Sequence, residues 1–186
     1  MKTIVFDDDL TTESVTKLIY QIEDSQTSEI FLKFSSMGGD LQSAEMLLEY
    51  LGHCDYTSGI GKKIRLIAFN HLASSAFYLF FKANAIIKKI LIGTVGEIHV
   101  PGISVHTRNL LDKTSVSSMQ VKDIANMVSE WLLWYKNLGF NESEITRLKK
   151  GKSLFIDKKR LDQILKVHEP YQYKYINEKN SKVSGS

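Results

Sequence analysis

The sequence has 186 residues, with 24 Lys+Arg against 21 Asp+Glu and a formal net charge of +3. That length fits one domain with a real core, and 43% hydrophobic residues with only 2 prolines exclude a largely disordered or collagen-like chain. A charge this near balance gives no reason to expect a nucleic-acid partner.

Cys54 is the lone cysteine, which excludes an internal disulfide and a multi-cysteine zinc site. The opening MKTIVFDDDL has too short an apolar stretch for a signal peptide, and the apolar run from Leu72 to Phe81 is far short of the ~20 residues that cross a bilayer. A cytoplasmic protein without membrane contact, metal or cofactor is expected. The basic residues between Arg147 and Arg160 are interrupted by Asp157 and lack an interleaved aromatic platform, so a solvated surface is expected there, with phosphate binding the alternative.

Thr3–Phe6 reads as a short strand. Thr11 or Thr12 can cap a helix in which Val15, Leu18, Ile19 and Ile22 fall at helical spacing. Ile30–Phe34 suits a buried strand and runs into the turn Ser35–Asp40. A helix from about Leu41 to Leu51 follows, and Gly52 is expected to stop it. Ile64–Phe69 is the next strand, linked by Asn70-His71-Leu72-Ala73 to a helix beginning near Ser74. Ile90–Ile92 and Gly96–Val100 look like strands with a tight connection. A long helical segment, roughly Ser117–Leu138, ends at Gly139, and Glu142–Lys149 carries a second helical pattern. A strand at Ser153–Ile156 and a helix capped by Asp157 and running through Val167 close the domain. The alternation implies an α/β fold with mostly parallel strands, because parallel neighbours need helical crossovers. One domain over residues 1–168 and a polar tail over 169–186, partly disordered, are expected.

Two strand-to-turn-to-helix junctions carry chemistry. In the first, Gly38-Gly39 follows a buried strand, where backbone N–H groups can approach a ligand without a side chain in the way. A plain tight turn is the simpler account of that pair taken alone. In the second, Ser74 or Ser75 opens a buried helix, near the positive end of its dipole, where a developing oxyanion is stabilised. Either serine alone is equally an N-cap.

Together the junctions resemble the proteolytic subunit of Clp protease, within the crotonase-like superfamily. Members carry a Ser-Pro-Gly-Gly turn, a Gly-x-Ala-Ala-Ser-Met-Gly-Ala-Phe segment with the nucleophile, and a strand ending in Ile-His-Gln-Pro with the base. Here the matching segments are Ser36-Met37-Gly38-Gly39, Asn70-His71-Leu72-Ala73-Ser74-Ser75-Ala76-Phe77 and Ile98-His99-Val100-Pro101. His99 stands 25 residues after Ser74, the separation found in the family. The resemblance spans about residues 3–167 and implies a ββα superhelix with a protruding long helix. It makes Ser74 the nucleophile, His99 its general base, and the N–H groups of Gly39 and Ser75 the oxyanion hole. A serine hydroxyl is weak until a positioned imidazole takes its proton, so the assignment is chemically coherent. His106 is the rival base; His53, His71 and His168 have plainer roles.

Departures from the family pattern are specific. Met37 replaces its proline and Ala76 a glycine, both sterically tolerable. Gly151 stands where the family places the triad's aspartate, leaving Asp157, which reads more naturally as a helix cap, as the nearest substitute third member. The chain also reaches its first strand without the family's N-terminal helix. The resemblance implies a serine endopeptidase acting on peptides or unfolded proteins through a Ser-His dyad or incomplete triad, in a homo-oligomeric ring. The five large residues Trp131–Tyr135 exceed what one helix face buries, which supports self-assembly. The family's AAA+ unfoldase partner finds no support in any residue here. The alternative is a weakly active or inactive oligomeric scaffold or regulatory subunit. Acyl-CoA chemistry of the crotonase kind would need a pocket carboxylate, which neither junction offers.

Overall fold

Alternating apolar residues set the layers from the first strand onward. The computed structural model describes residues 1–54, 61–83, 85, 87–100 and 118–168. In β1 (Lys2–Asp7) Ile4 and Phe6 are buried, while Thr3, Val5 and Asp7 are exposed. β2 (Glu29–Ser36) and β3 (Lys63–Ala73) lie parallel to it and continue the same buried rows. Ile4 pairs with Leu32 and Leu32 with Leu66; Phe6 pairs with Phe34 and Phe34 with Ala68. The rings of Phe6 and Phe34 stack at 5.3 Å between centroids. Burying a side chain such as Leu32 or Leu66 contributes about 1.5–3 kcal/mol relative to leaving it in water.

Helices connect these strands. α1 (Thr12–Glu23) opens with a reciprocal cap: the Ser14 N–H donates to Thr11 Oγ1 at 3.1 Å, and the Thr11 N–H to Ser14 Oγ at 3.0 Å. Its Val15, Leu18 and Ile22 face inward. α2 (Leu41–His53) is capped by Asp40, whose carboxylate accepts from the Gln42 and Ser43 N–H groups. Gly52 does not stop this helix, contrary to expectation. The His53 ring Nδ1 lies 2.7 Å from the Glu49 carbonyl, and the Cys54 N–H donates to Leu51 at 3.3 Å, so the last carbonyls find partners one turn later. Cys54 itself is buried, and burial pushes its thiol up to about 11, which keeps it protonated and unreactive at neutral pH.

β3 also departs from expectation. It does not end at Phe69 but runs on through the predicted linker to Ala73. Phe34 pairs with Ala68, yet Ser36 pairs with Leu72, so β3 carries two extra residues there, and Asn70 sits at φ 52°. This bulge lets one strand serve two partners. Before it, Arg65–Ala68 pair with β4 (Ile87–Ile90); after it, His71–Ala73 pair with β5 (Val95–Ile98). Ile92, expected in a strand, lies in the turn between them and is 94% exposed. α3 (Ser75–Lys82) begins two residues after β3 ends, and the buried Lys88 of β4 donates to its Phe81 carbonyl at 3.1 Å. A cation there meets the negative end of the helix dipole.

α4 (Ser118–Asn137), α5 (Glu142–Lys149), β6 (Leu154–Ile156) and α6 (Lys158–His168) complete the described elements. The sheet order is β1-β2-β3-β5-β6, with β4 paired to β3. The chain forms two compact units, Met1–Ile98 with Phe155–Ser186, and His99–Leu154. Within the second, the Gly139 N–H donates to Lys136 at 3.0 Å and the Phe140 N–H to Tyr135 at 3.2 Å, a Schellman ending for α4. The accompanying apolar contact is Tyr135 against Phe140, with ring centroids 5.7 Å apart. Of the run Trp131–Tyr135, Leu132 and Tyr135 are buried and the two tryptophans half-buried, leaving Leu133 exposed. Among the described residues, no helix is long and apolar enough to cross a membrane. The predicted tail, 169–186, lies outside the described residues.

Candidate active site

The first junction is built by Ser36 and Leu10. Ser36, buried at the end of β2, accepts the Gly38 N–H on its hydroxyl at 3.0 Å, closing the turn. Leu10, also buried, donates its N–H to the Gly38 carbonyl at 2.7 Å and accepts the Asp40 N–H at 2.8 Å. This short parallel bridge engages the residues on either side of Gly39, so the Gly39 N–H takes no part in it. Gly38 and Gly39 have φ of 104° and 138°, which L side chains rarely adopt. A methyl on Gly38 would lie 2.7 Å from Ser74 Cβ and 2.8 Å from the Ala73 carbonyl oxygen. Only glycine permits this approach of the turn to the second junction.

The second junction places the two serines differently. Ser74, half-exposed, occupies the N-cap of α3 at φ 53° and ψ −124°, and its side chain makes no capping hydrogen bond. A non-glycine residue held there costs about 1–3 kcal/mol of backbone strain. Its N–H donates to the Glu97 carbonyl of β5 at 2.8 Å, and its own carbonyl accepts from Phe77 at 3.1 Å. Strand and helix thus fix both sides of the residue. Ser75 is buried, and its hydroxyl donates to the Gly39 carbonyl at 3.1 Å. As the first residue of α3, Ser75 has an N–H with no intrahelical acceptor. Gly39, Ser74 and Ser75 are therefore brought together within the first unit.

His99 follows β5 directly and belongs to the second unit. Its ring is half-buried, and Nδ1 lies 2.9 Å from the Val100 carbonyl oxygen. Its main-chain carbonyl accepts the Tyr135 hydroxyl at 3.1 Å. Tyr135 is fully buried, and burial pushes its phenol up, so it remains a protonated donor. Neither the Val100 carbonyl nor Tyr135 was legible in the sequence as a partner of His99. One is a main-chain atom, and the other is 36 residues away.

Asp157 is exposed and accepts the Arg160 N–H on Oδ1 at 2.8 Å, the N-cap of α6. Gly151 has a structural reason for its place. At φ 71° it ends α5 in a Schellman motif, donating to Leu148 at 2.9 Å while Lys152 donates to Arg147 at 3.1 Å. Of the other histidines, His53 sits at the end of α2 and His71 is exposed on β3. His106 and Pro101 lie outside the described residues. Among the described residues, no group of three or more His, Cys, Asp or Glu could hold a metal ion.

No family model matches the chain, and no curated protein sequence matches it. Among solved structures, it is similar to a point mutant of ClpP1 from Listeria monocytogenes, with a TM-score of 0.59 and 14% sequence identity. The likeness covers 87% of this chain and 86% of that one. At so low an identity, agreement over nearly the whole of both chains speaks to the fold alone. With its mostly parallel sheet and helical crossovers, the chain has a Clp-protease-like α/β fold.

Proposed function

We propose that the protein is a serine peptidase of the Clp type, cleaving peptide bonds in peptides or unfolded proteins by acyl transfer. Ser74 is the nucleophile and His99 its general base. The N–H groups of Gly39 and Ser75 stabilise the oxyanion of the tetrahedral intermediate. The observation that carries this reading is the strained conformation of Ser74 at a strand-to-helix turn, with its hydroxyl left out of the cap. Strain of this kind persists where surrounding structure imposes it, and it clusters at functional sites. Ser75 is a poorer nucleophile because its hydroxyl is already committed to Gly39.

The catalytic cycle follows from these roles. His99 accepts the Ser74 proton as Oγ attacks the scissile carbonyl carbon, and the carbonyl oxygen becomes the oxyanion. Collapse expels the amine, which takes the proton from the imidazolium, and leaves an acyl group on Ser74. Water, deprotonated by His99, then releases the acid and restores the serine. Homo-oligomeric assembly as a ring belongs to the same proposal, supported by the fold and by the exposed Leu133 on α4.

A second reading, an oligomeric scaffold or regulatory subunit with little activity, is favoured by one observation. Gly151 ends α5 and has no side chain, and the Asp157 carboxylate caps α6, so each has a structural duty of its own. The two readings separate on hydrolysis of a short unstructured peptide. Turnover by the full chain that is lost in Ser74→Ala, with Tm unchanged, supports the peptidase. Equal, background-level hydrolysis by both proteins supports the scaffold.

A further inference from the structure

We infer that a main-chain carbonyl, that of Val100, stands in for the third acid of the triad, and that Tyr135 is the positioning residue that fixes the peptide unit between His99 and Val100. The inference rests on the peptidase reading for its catalytic meaning. Its geometry lies wholly within the unit that contains His99.

A histidine base must present one ring nitrogen as an acceptor, and the hydrogen bond made by the other nitrogen decides which. His99 Nδ1 lies 2.9 Å from the Val100 carbonyl oxygen. A carbonyl can only accept, so this contact requires the proton on Nδ1 and leaves Nε2 as the lone-pair acceptor in the neutral ring. That is the tautomer a general base needs. Gly151, which has no side chain, is occupied in ending α5.

A carbonyl one residue away can orient a ring only if the backbone between them is fixed. Tyr135 restrains the first peptide unit of that stretch. Its hydroxyl donates to the His99 carbonyl at 3.1 Å, which pins the peptide unit joining His99 to Val100. The phenol ring is itself enclosed: it is fully buried, packs on Trp131, Trp134 and Phe140, and sits where the Schellman ending of α4 closes on Phe140. The orienting group is therefore neutral. It sets the tautomer but supplies no full negative charge to the imidazolium, so the dyad is oriented without being strongly activated.

The test uses the full chain with ¹⁵N-labelled histidine, compared with Tyr135→Phe, which keeps the ring and removes the hydroxyl. His99 is assigned by loss of its signal in His99→Gln. In the wild type, the nitrogen shifts of neutral His99 are expected to show a protonated Nδ1 and an unprotonated Nε2. Tyr135→Phe is expected to give a mixed tautomer population, and to slow labelling of Ser74 by a fluorophosphonate about three- to tenfold, the size of one neutral hydrogen bond. A wild-type ring protonated on Nε2, or a Tyr135→Phe variant with unchanged tautomer and labelling rate, overturns the inference. If the wild-type protein is not labelled at all, the peptidase reading fails instead, and the tautomer measurement still decides the assignment of the carbonyl.

Discussion

The Ser75 hydroxyl donates to the Gly39 carbonyl at 3.1 Å, joining the turn after β2 to the helix after β3. Two segments 36 residues apart are thereby locked at the place where Gly38 meets Ser74. The bond distinguishes the two serines: the Ser75 hydroxyl braces the turn, while the Ser74 side chain makes no capping hydrogen bond. Ser75→Ala leaves a carbonyl without its partner and is expected to lower stability by about 1–2 kcal/mol in denaturant melts. Covalent labelling should remain on Ser74 in that variant.

Gly38 is expected to be intolerant of any side chain. Gly38→Ala combines a positive φ with a methyl 2.8 Å from the Ala73 carbonyl oxygen, an atom that cannot rotate away. A loss of more than about 2 kcal/mol follows from backbone strain and overpacking together. Chemical denaturation of the variant checks the size, and a loss below that value would mean that the turn moves freely relative to Ser74.

Gly151 and Asp157 test whether an acid is missing or merely misplaced. Gly151→Ala should cost about 1 kcal/mol, because a side chain at φ 71° is strained although nothing lies within 4 Å of it. Gly151→Asp should be destabilised similarly and gain no activity. Asp157→Ala should lose about 1 kcal/mol from the α6 cap and keep its turnover. Loss of activity without loss of fold in Asp157→Ala would make Asp157 the orienting acid.

Asp40 governs part of the response to acid. Its carboxyl lies below the ordinary carboxylate range because the Ser43 hydroxyl, and then the Ser43 and Gln42 N–H groups, bond to the charged form. A lowered folded-state value means stability that is present above the unfolded value and is lost as pH falls through the folded one. Asp40→Asn keeps an N-cap without the titrating charge. Its stability should therefore fall less steeply below about pH 4 than that of the wild type. Parallel pH-dependent melts of the two proteins compare the slopes.

Much of the fold was legible because local signals agreed with the packing. A threonine cap for α1, its inward Val15, Leu18 and Ile22 and the parallel order of the strands follow from residue type and spacing. The failures lie where hydrogen bonds that residue type does not announce decide the outcome. Gly52 reads as a helix stop, yet His53 and Cys54 carry the ending further. Asn70-His71-Leu72-Ala73 reads as a linker, but a bulge and pairing with β5 draw it into the sheet. At the site, the glycine pair and the two serines were visible in the sequence. The strain at Ser74, the bond from Ser75 to Gly39 and the carbonyl beside His99 were not, because none has a side-chain signature. Gly151 was legible as a missing acid but not as a helix ending.

Whether Ser74 is the nucleophile is decided by mapping the site of a fluorophosphonate adduct on the full chain. One adduct is expected, on Ser74, and it should be absent from Ser74→Ala while Tm stays unchanged. An adduct on Ser75, labelling that persists in Ser74→Ala, or no adduct on the folded wild-type protein would contradict that assignment.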